Sequence, residues 1–301
     1  MRAFYIVGPT AVGKSEIAAE VARRCEAEIV SADAFQVYAG LDLLTAKPDR
    51  ATLRMAPHHL LGITPLSDSM DAENFRGAAL RAIAEIQERG AHALVVGGSG
   101  MSVQALTHGL SELPPANTEV RTRLEHHSEG ELLVRLQVLD PETARTIDAR
   151  NKRRLIRAVE ICLLSKQPVS TLRQRSAPAA EPRGVFLFRD RDDLHQRINH
   201  RVEMMFAQGV VEEVRAIEDV GPTAAQTLGL SQVRDLLAGK IAQAQCVATI
   251  QQATRRYAKR QLTWFRRQTN FEPLNLSRIG SSAAVDSIAR QARLAFAPTN
   301  D

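Results

Sequence analysis

A glycine-rich segment near the N-terminus constrains the fold of this chain more than any other feature. Residues 8–15 read GPTAVGKS: two glycines separated by four residues, then lysine and serine. A short apolar run, residues 3–7, precedes the segment, and an amphipathic pattern over residues 14–25 follows it. A strand, a glycine loop and a helix in this order form a phosphate-binding loop, because backbone N–H groups and the helix N-terminus converge on phosphate oxygens.

We expect this loop to bind a diphosphate or triphosphate. The Lys14 ammonium supplies positive charge, and the Ser15 hydroxyl is placed to bind Mg²⁺. Kinases, ATPases and GTPases share such loops, so the loop alone leaves the reaction open. The residues expected to hold the phosphate groups are Gly8, Thr10, Ala11, Val12, Gly13, Lys14 and Ser15.

The elements predicted after the loop indicate a parallel sheet. Strands are expected at 28–31, 91–96 and 184–188, and helices at 73–89, 194–208, 210–219, 230–237 and about 242–268. Alternating strands and helices predict an α/β fold, a P-loop NTPase-like parallel sheet flanked by helices. In such folds ligands bind beyond the carboxyl ends of the strands.

The middle of the chain lacks strand patterns and is expected to form a separate helical domain. Amphipathic patterns predict helices at 118–127, 129–138 and 152–165, followed by a proline- and alanine-rich loop at 168–182. We therefore predict an inserted all-helical domain, residues 114–183. The remaining α/β core is expected to comprise residues 1–113 and 184–301.

Two further segments follow predicted strands and are expected at the same edge of the sheet. Residues 31–38 read SADAFQVY, and residues 97–100 read GGSG. Asp33 in the first segment either holds Mg²⁺, accepts a proton from a nucleophile, or simply caps the next turn. The Ser99 hydroxyl and the backbone amides around it are expected to face the same cleft.

Two basic stretches point to an anionic partner. The first contains Arg150, Lys152, Arg153, Arg154 and Arg157, and the second contains Arg255, Arg256, Lys259, Arg260, Arg266 and Arg267. Like charges at i,i+4 on a helix repel, so contact with phosphate groups is one explanation and a solvated face is the other. The formal net charge of +5 adds only weak support for nucleic acid.

Cysteine usage and hydropathy favour a cytoplasmic protein without membrane association. The three cysteines are far apart in the sequence, form no metal-binding spacing, and fit a reducing compartment. No apolar run reaches the length needed to cross a bilayer. The pair His58 and His59 has no third ligand placed by the sequence, and we interpret it as structural.

Taken together, the motifs resemble the bacterial tRNA dimethylallyltransferases, also called tRNA isopentenyltransferases. The resemblance covers residues 2 to about 275 and is specific in combination, although no single motif is. The similar segments occur in the order typical of that family: 8–15, 31–38, TAKP at 45–48, PHHL at 57–60, 97–100, RRLIRA at 153–158 and TRRYAKRQ at 254–261.

This resemblance implies transfer of a dimethylallyl group from dimethylallyl diphosphate to N6 of the adenosine on the 3′ side of the tRNA anticodon. Asp33 would be the general base, Ser99 would bond the bridging oxygen of the diphosphate, and Lys14 with Mg²⁺ would stabilise the leaving group. Gln36 would read the flipped base together with Asp33. The expected partner is the anticodon stem-loop, bound by a monomer.

The tRNA contacts implied by the resemblance come from four parts of the chain. They are Asp33, Ala34, Phe35, Gln36, Ser99, Arg121, Arg153, Arg154 and Arg157. The sequence departs from the family pattern where Ala34 replaces Ser, Ser99 replaces Thr, and Ser102 and Leu230 replace Tyr. These departures affect the expected packing of the base and the prenyl chain, but a hydroxyl is retained at position 99.

Three alternatives are left open by the residues themselves. A prenyltransferase acting on free adenine nucleotides would share the loop and Asp33, although the two basic stretches favour tRNA. A small-molecule kinase would share the loop and would transfer a phosphoryl group from ATP. A nucleic-acid-binding module without catalysis would leave the phosphate-binding loop and Asp33 unexplained.

Overall fold

A computed structural model describes residues 3–111, 113–173, 182–268 and 270–297. The chain divides into two compact units. The first is formed by Met1–Thr107 together with Ala180–Asp301, and the second by His108–Ala179. Within the described residues, no helix has both the length and the apolar character needed to cross a lipid bilayer.

The first unit is built on one six-stranded, all-parallel sheet. Its strands are β1 (Ala3–Val7), β2 (Ala27–Ser31), β3 (His58–His59), β4 (His92–Gly97), β5 (Arg183–Phe188) and β6 (Phe271–Asn275). Their order across the sheet is β3-β2-β4-β1-β5-β6. This arrangement confirms the predicted α/β fold with a parallel sheet flanked by helices.

Helices cover both faces of this sheet. They are α1 (Lys14–Cys25), α2 (Arg50–Leu53), α3 (Ala72–Glu88), α4 (Gly100–Thr107), α10 (Arg191–Ala207), α11 (Val210–Arg215), α12 (Leu230–Leu237), α13 (Gln243–Phe265) and α14 (Leu276–Phe296). Phe4 and Ile6 pack on one side, with α1 and α14, whereas Tyr5 and Val7 pack on the other, with α3. Burial on both faces explains why β1 is continuously apolar.

The second unit contains only helices among its described residues. They are α5 (Thr118–Glu125), α6 (Glu129–Leu139), α7 (Pro141–Thr146), α8 (Lys152–Ser165) and α9 (Val169–Arg173). Its core is formed by buried apolar residues from four helices, including Leu124, Leu132, Leu136, Leu155 and Val169. Ser128 starts α6 with a capping box, because its hydroxyl accepts from the Glu131 N–H while the Glu131 carboxylate accepts from the Ser128 N–H.

The structure differs from the predicted elements mainly in segments whose secondary structure depends on tertiary packing. Helix α9 occupies the start of the segment predicted as a loop, residues 168–182, and most of the rest of that segment, residues 174–181, lies outside the described residues. No prediction covered β6 or α14. Strand β6 contains Pro273, which has no N–H to donate and is tolerated because β6 lies at the edge of the sheet.

Candidate phosphate-binding active site

A cavity of about 200 Å³ opens at the carboxyl ends of β1, β2 and β4, where ligands of parallel sheets bind. Seven predicted residues line it: Thr10, Ala11, Gly13, Lys14, Ser15, Asp33 and Gln36. Five others are not among its lining residues: Gly8, Val12, Ala34, Phe35 and Ser99. The remaining predicted residues, Arg121, Arg153, Arg154 and Arg157, belong to the second unit.

The glycine loop has a backbone shape that its sequence explains. Gly13 has φ 102°, a left-handed conformation that glycine adopts at little cost. A Cβ on Gly8 would lie 2.3 Å from the carbonyl oxygen of Leu187, so only glycine fits there. Ala11 also has a positive φ, 63°, which is strained for an alanine and therefore needs support from its surroundings.

Three arginines that the sequence analysis missed provide that support. Arg189 Nε donates to the Val12 carbonyl and Arg197 Nε donates to the Ala11 carbonyl, both at 2.9 Å. Arg201 donates to the Thr10 hydroxyl at 3.0 Å. Arg197 and Arg201 are one helical turn apart on α10, and this i,i+4 spacing in a predicted helix following a predicted strand is the signal that was available.

The electrostatics of the loop favour an anion. Lys14 Nζ donates to the Pro9 carbonyl at 2.8 Å. Burial lowers the pKa of Lys14 to about 8, with Asp33 opposing the shift and Arg201 adding to it. Burial also lowers the pKa of Arg201, which the carboxylates of Glu16 and Asp33 oppose. Crowded, partly desolvated cations of this kind are compensated when a multivalent anion binds.

Asp33 both caps a turn and lines the cavity. Its Oδ1 accepts from the backbone N–H of Phe35 at 3.0 Å and of Gln36 at 3.3 Å. The capping role considered from the sequence is therefore present, and it leaves the second carboxylate oxygen without a hydrogen bond to any described residue. A capped carboxylate beside a cationic loop is fixed in orientation and available to a ligand.

The amide of Gln36 is hydrogen-bonded within the protein. Its Oε1 accepts from the Ser31 hydroxyl at 3.2 Å, and its Nε2 donates to the carbonyls of Ala46 at 3.0 Å and Thr45 at 3.3 Å. Gln36 thus ties the segment after β2 to residues 45–46. Both N–H donors of the amide are used, so donation to another group would require exchange of one of these bonds, whereas Oε1 can accept a second hydrogen bond.

The glycines of residues 97–100 allow close packing. A Cβ on Gly97 would lie 2.2 Å from the Ala32 carbonyl oxygen, and a Cβ on Gly100 would lie 2.7 Å from the Trp264 ring. Ser99 is buried, and its hydroxyl accepts from the Ser102 N–H at 3.4 Å at the start of α4. The Ser99 hydroxyl keeps its own proton available for donation.

The histidine pair makes structural contacts. His58 lines the cavity, and its Nδ1–H donates to the Ala56 carbonyl at 2.8 Å; burial lowers its pKa. His59 Nε2 bonds the Glu28 carboxylate at 2.6 Å. Nowhere in residues 3–111, 113–173, 182–268 and 270–297 do three His, Cys, Asp or Glu side chains cluster as metal ligands.

The predicted arginines of the second unit fall into two kinds. Arg121 and Arg157 both bind the fully buried carboxylate of Glu160. Arg153 and Arg154 are exposed and form no ion pair with another described residue. The latter two therefore remain available to an external phosphate.

The basic stretch of the first unit lies on α13. Arg256, Lys259 and Arg260 are exposed, whereas Arg255 donates to the Asn199 side chain at 2.5 Å. Of the aromatic residues on this helix, Phe265 is buried in the core. The α13 face that carries the exposed cations is the one available to an anionic polymer.

A parallel sheet with a cation-rich phosphate-binding loop at its carboxyl edge places this chain in the class of P-loop proteins. Comparison with known proteins identifies its family within that class. The model of the IPP transferase family matches residues 36–268, and the chain belongs to that family. It is 40% identical over 264 residues to a tRNA dimethylallyltransferase of Akkermansia muciniphila, covering 88% of this chain and 90% of that one.

Solved structures show the same relationship. A full-length tRNA isopentenylpyrophosphate transferase of Bacillus halodurans has a TM-score of 0.70 and 32% identity, over 98% of this chain and 97% of that chain. A eukaryotic dimethylallyltransferase acting on tRNA has a TM-score of 0.81 at 23% identity, over 99% of this chain and 81% of that chain. Because its identity to this chain is only 23%, the eukaryotic enzyme shows the fold of this chain alone.

Proposed function

We propose that this protein transfers the dimethylallyl group from dimethylallyl diphosphate to N6 of the adenosine that follows the tRNA anticodon, releasing diphosphate. The observation that carries the proposal is one cavity lined by the cations Lys14, Arg197 and Arg201 together with the carboxylate of Asp33. Such a cavity suits a reaction in which a diphosphate leaves and an amine loses a proton. Membership of the IPP transferase family and the names of the relatives support the same reaction.

The loop would hold the diphosphate of the prenyl donor. Negative charge grows on the diphosphate as its bond to C1 of the prenyl group breaks, and Lys14 and Arg201 lie where they would stabilise it. The Ser15 hydroxyl lines the cavity beside them, and a hydroxyl with diphosphate oxygens is a donor set that suits Mg²⁺. When bound, Mg²⁺ would neutralise further charge on the diphosphate.

The acceptor amine would be activated by Asp33. An exocyclic amine of adenine is a weak nucleophile, so a base within reach of its proton accelerates attack. N6 forms a bond to C1, the electron pair of the C1–O bond leaves with the diphosphate, and the N6 proton passes to Asp33. The target base must leave the stack to reach the cavity. Ser99 would donate its hydroxyl proton to the bridging oxygen.

The helical insertion and α13 would hold the RNA. Arg153 and Arg154 on α8, and Arg256 on α13, are exposed and suit contact with the phosphates of an anticodon stem-loop. Arg121 and Arg157 would contribute through their unoccupied N–H groups while they remain bound to Glu160. We propose that the enzyme acts as a monomer on this stem-loop, and that Asp33 to Gln36 contact the flipped adenosine.

Mass spectrometry of an anticodon stem-loop tests the proposal. The RNA is incubated with the protein, dimethylallyl diphosphate and Mg²⁺, and a mass increase of one dimethylallyl group on the adenosine after the anticodon is expected. The matched control is the same stem-loop with guanosine at that position, which should remain unmodified. Efficient prenylation of AMP with an inert stem-loop, or phosphoryl transfer from ATP, would contradict the proposal.

A further inference from the structure

Gln261 is the buried amide through which α13 contacts the phosphate-binding loop. The helix exposes basic residues, Arg256 and Lys259 among them, and buries Ala258, Gln261 and Phe265 on another face. A buried polar side chain costs free energy unless it is hydrogen-bonded, so its partners indicate its role.

Both polar atoms of this amide bond the backbone of loops that carry the site. Gln261 Oε1 accepts from the Thr10 N–H at 2.9 Å, and Nε2 donates to the Gly98 carbonyl at 2.7 Å. The amide orientation follows from chemistry, because a backbone N–H only donates and a carbonyl only accepts. Thr10 follows β1 and Gly98 follows β4, which are neighbours in the sheet, so one side chain joins two adjacent loops.

Gly98 has the shape that this contact requires. A Cβ at position 98 would lie 2.5 Å from Gln261 Nε2 and 2.7 Å from the Gly8 carbonyl oxygen. A larger residue would displace either the amide or the loop. The glycine at position 98 is therefore explained by the approach of Gln261.

Gln261 also takes up the backbone N–H at the start of the phosphate-binding loop, and neighbouring side chains hold the rest of that turn. The Thr10 N–H points to Gln261, while the Thr10 hydroxyl accepts from Arg201 at 3.0 Å. The next residue, Ala11, holds its positive φ while its carbonyl accepts from Arg197. The strained turn is therefore held from both sides by hydrogen bonds within the protein.

We propose that Gln261 is a positioning residue of the diphosphate site. Its amide fixes Thr10, and with it residues 10–15, in the conformation that receives a diphosphate. The assignment of that diphosphate to a prenyl donor rests on the proposed function. Loss of the amide should weaken binding of the diphosphate more than it affects binding of RNA, since Gln261 is buried away from the exposed basic face of α13.

Equilibrium binding of inorganic pyrophosphate with Mg²⁺ tests this role. Gln261→Met keeps a side chain of similar size without either hydrogen bond, and about tenfold weaker pyrophosphate binding is expected. The KM for dimethylallyl diphosphate should rise more than kcat falls. The matched control is Gln251→Met on the same helix, which removes amide bonds to Asn199 and Glu203 of α10 and should leave pyrophosphate binding unchanged.

Gln261→Glu adds a signature that a general packing defect lacks. Its carboxylate still accepts from the Thr10 N–H, but it donates to the Gly98 carbonyl only when protonated. Its affinity relative to the natural protein should therefore recover as the pH falls, whereas the ratio for Gln261→Met should stay constant.

Two outcomes would overturn the role of Gln261. The first is that Gln261→Met and Gln261→Glu both bind pyrophosphate as tightly as the natural protein does. The second is that Gln261→Met and Gln251→Met weaken pyrophosphate binding equally. If the natural protein itself fails to bind pyrophosphate, the proposed diphosphate site is wrong and the positioning role falls with it. The behaviour of the natural protein thus separates the two failures.

Discussion

The carboxylate of Glu160, fully buried in the second unit, holds Arg121 in a two-bond ion pair. Arg121 Nε and Nη2 donate to its two oxygens, each at 3.0 Å. Arg157 donates at 2.7 Å, and the Asn117 N–H also donates at 2.7 Å. Burial raises the pKa of Glu160, but the hydrogen bonds from Arg121 and Arg157 outweigh it and leave the pKa below its ordinary value. These two arginines therefore have a structural partner irrespective of RNA.

We predict that Arg121→Ala destabilises the protein. The substitution leaves a buried carboxylate with two of its four donor contacts missing, and a loss of about 1–3 kcal/mol is expected after allowance for the partial exposure of Arg121. Denaturant unfolding of the full chain measures it. Arg123→Ala on the same helix removes an exposed ion pair with Glu119 and should cost less than about 1 kcal/mol. Equal effects would show that the Glu160 cluster contributes no special stability.

We predict the opposite pattern for Arg153→Ala and Arg154→Ala. Both side chains are exposed and unpaired among the described residues, so stability should change little. If each contacts one phosphate, the slope of log affinity for the stem-loop against log salt should fall by about 0.7–0.9 per residue. Binding titrations at several salt concentrations measure the slope, with Arg123→Ala as the control. An unchanged slope would remove these arginines from the RNA contact.

We predict that Asp33→Asn separates catalysis from local structure. The asparagine Oδ1 can still accept from the N–H groups of Phe35 and Gln36, so the turn should persist. The amide cannot act as a base, and kcat should fall by about 10²-fold or more. Single-turnover rates measure the loss, while pyrophosphate and stem-loop affinities should be retained. A near-natural rate would exclude Asp33 as the base.

The elements that were predicted correctly are those whose sequence pattern lies within one short, continuous stretch of the chain. The strand at residues 3–7, the loop at 8–15 and the helix at 14–25 form a contiguous pattern, and all three are in the structure. The helices at 152–165 and 230–237 also match, because their apolar positions recur with the helical period. Local spacing is sufficient for such elements.

The missing parts of the site depend on contacts between distant residues. Arg197 bonds Ala11 across 186 positions, and Arg201 bonds Thr10 across 191 positions. Gln261 reaches Thr10 across 251 positions. Residue patterns indicate that these side chains lie on helices, but only the packing of α10 and α13 against the sheet decides that they face the loop.

We predict that pyrophosphate affinity falls as the pH rises above about 8. Burial lowers the pKa of Lys14 to about 8, so the ammonium is charged below that pH and neutral above it. A bound diphosphate favours the charged form and raises this pKa, so binding above pH 8 requires uptake of a proton. The affinity should then fall by up to about tenfold per pH unit.

Lys14→Arg is the matched control for this pH dependence. A guanidinium stays protonated throughout the range from pH 7 to about 10, so any remaining pH dependence of Lys14→Arg comes from groups other than residue 14, pyrophosphate among them. The ratio of the affinities of the natural protein and Lys14→Arg cancels that contribution. This ratio should be flat below about pH 8 and fall above it, as measured by calorimetry with Mg²⁺ present. A ratio that stays constant to pH 10 would show that the Lys14 ammonium keeps its proton throughout this range.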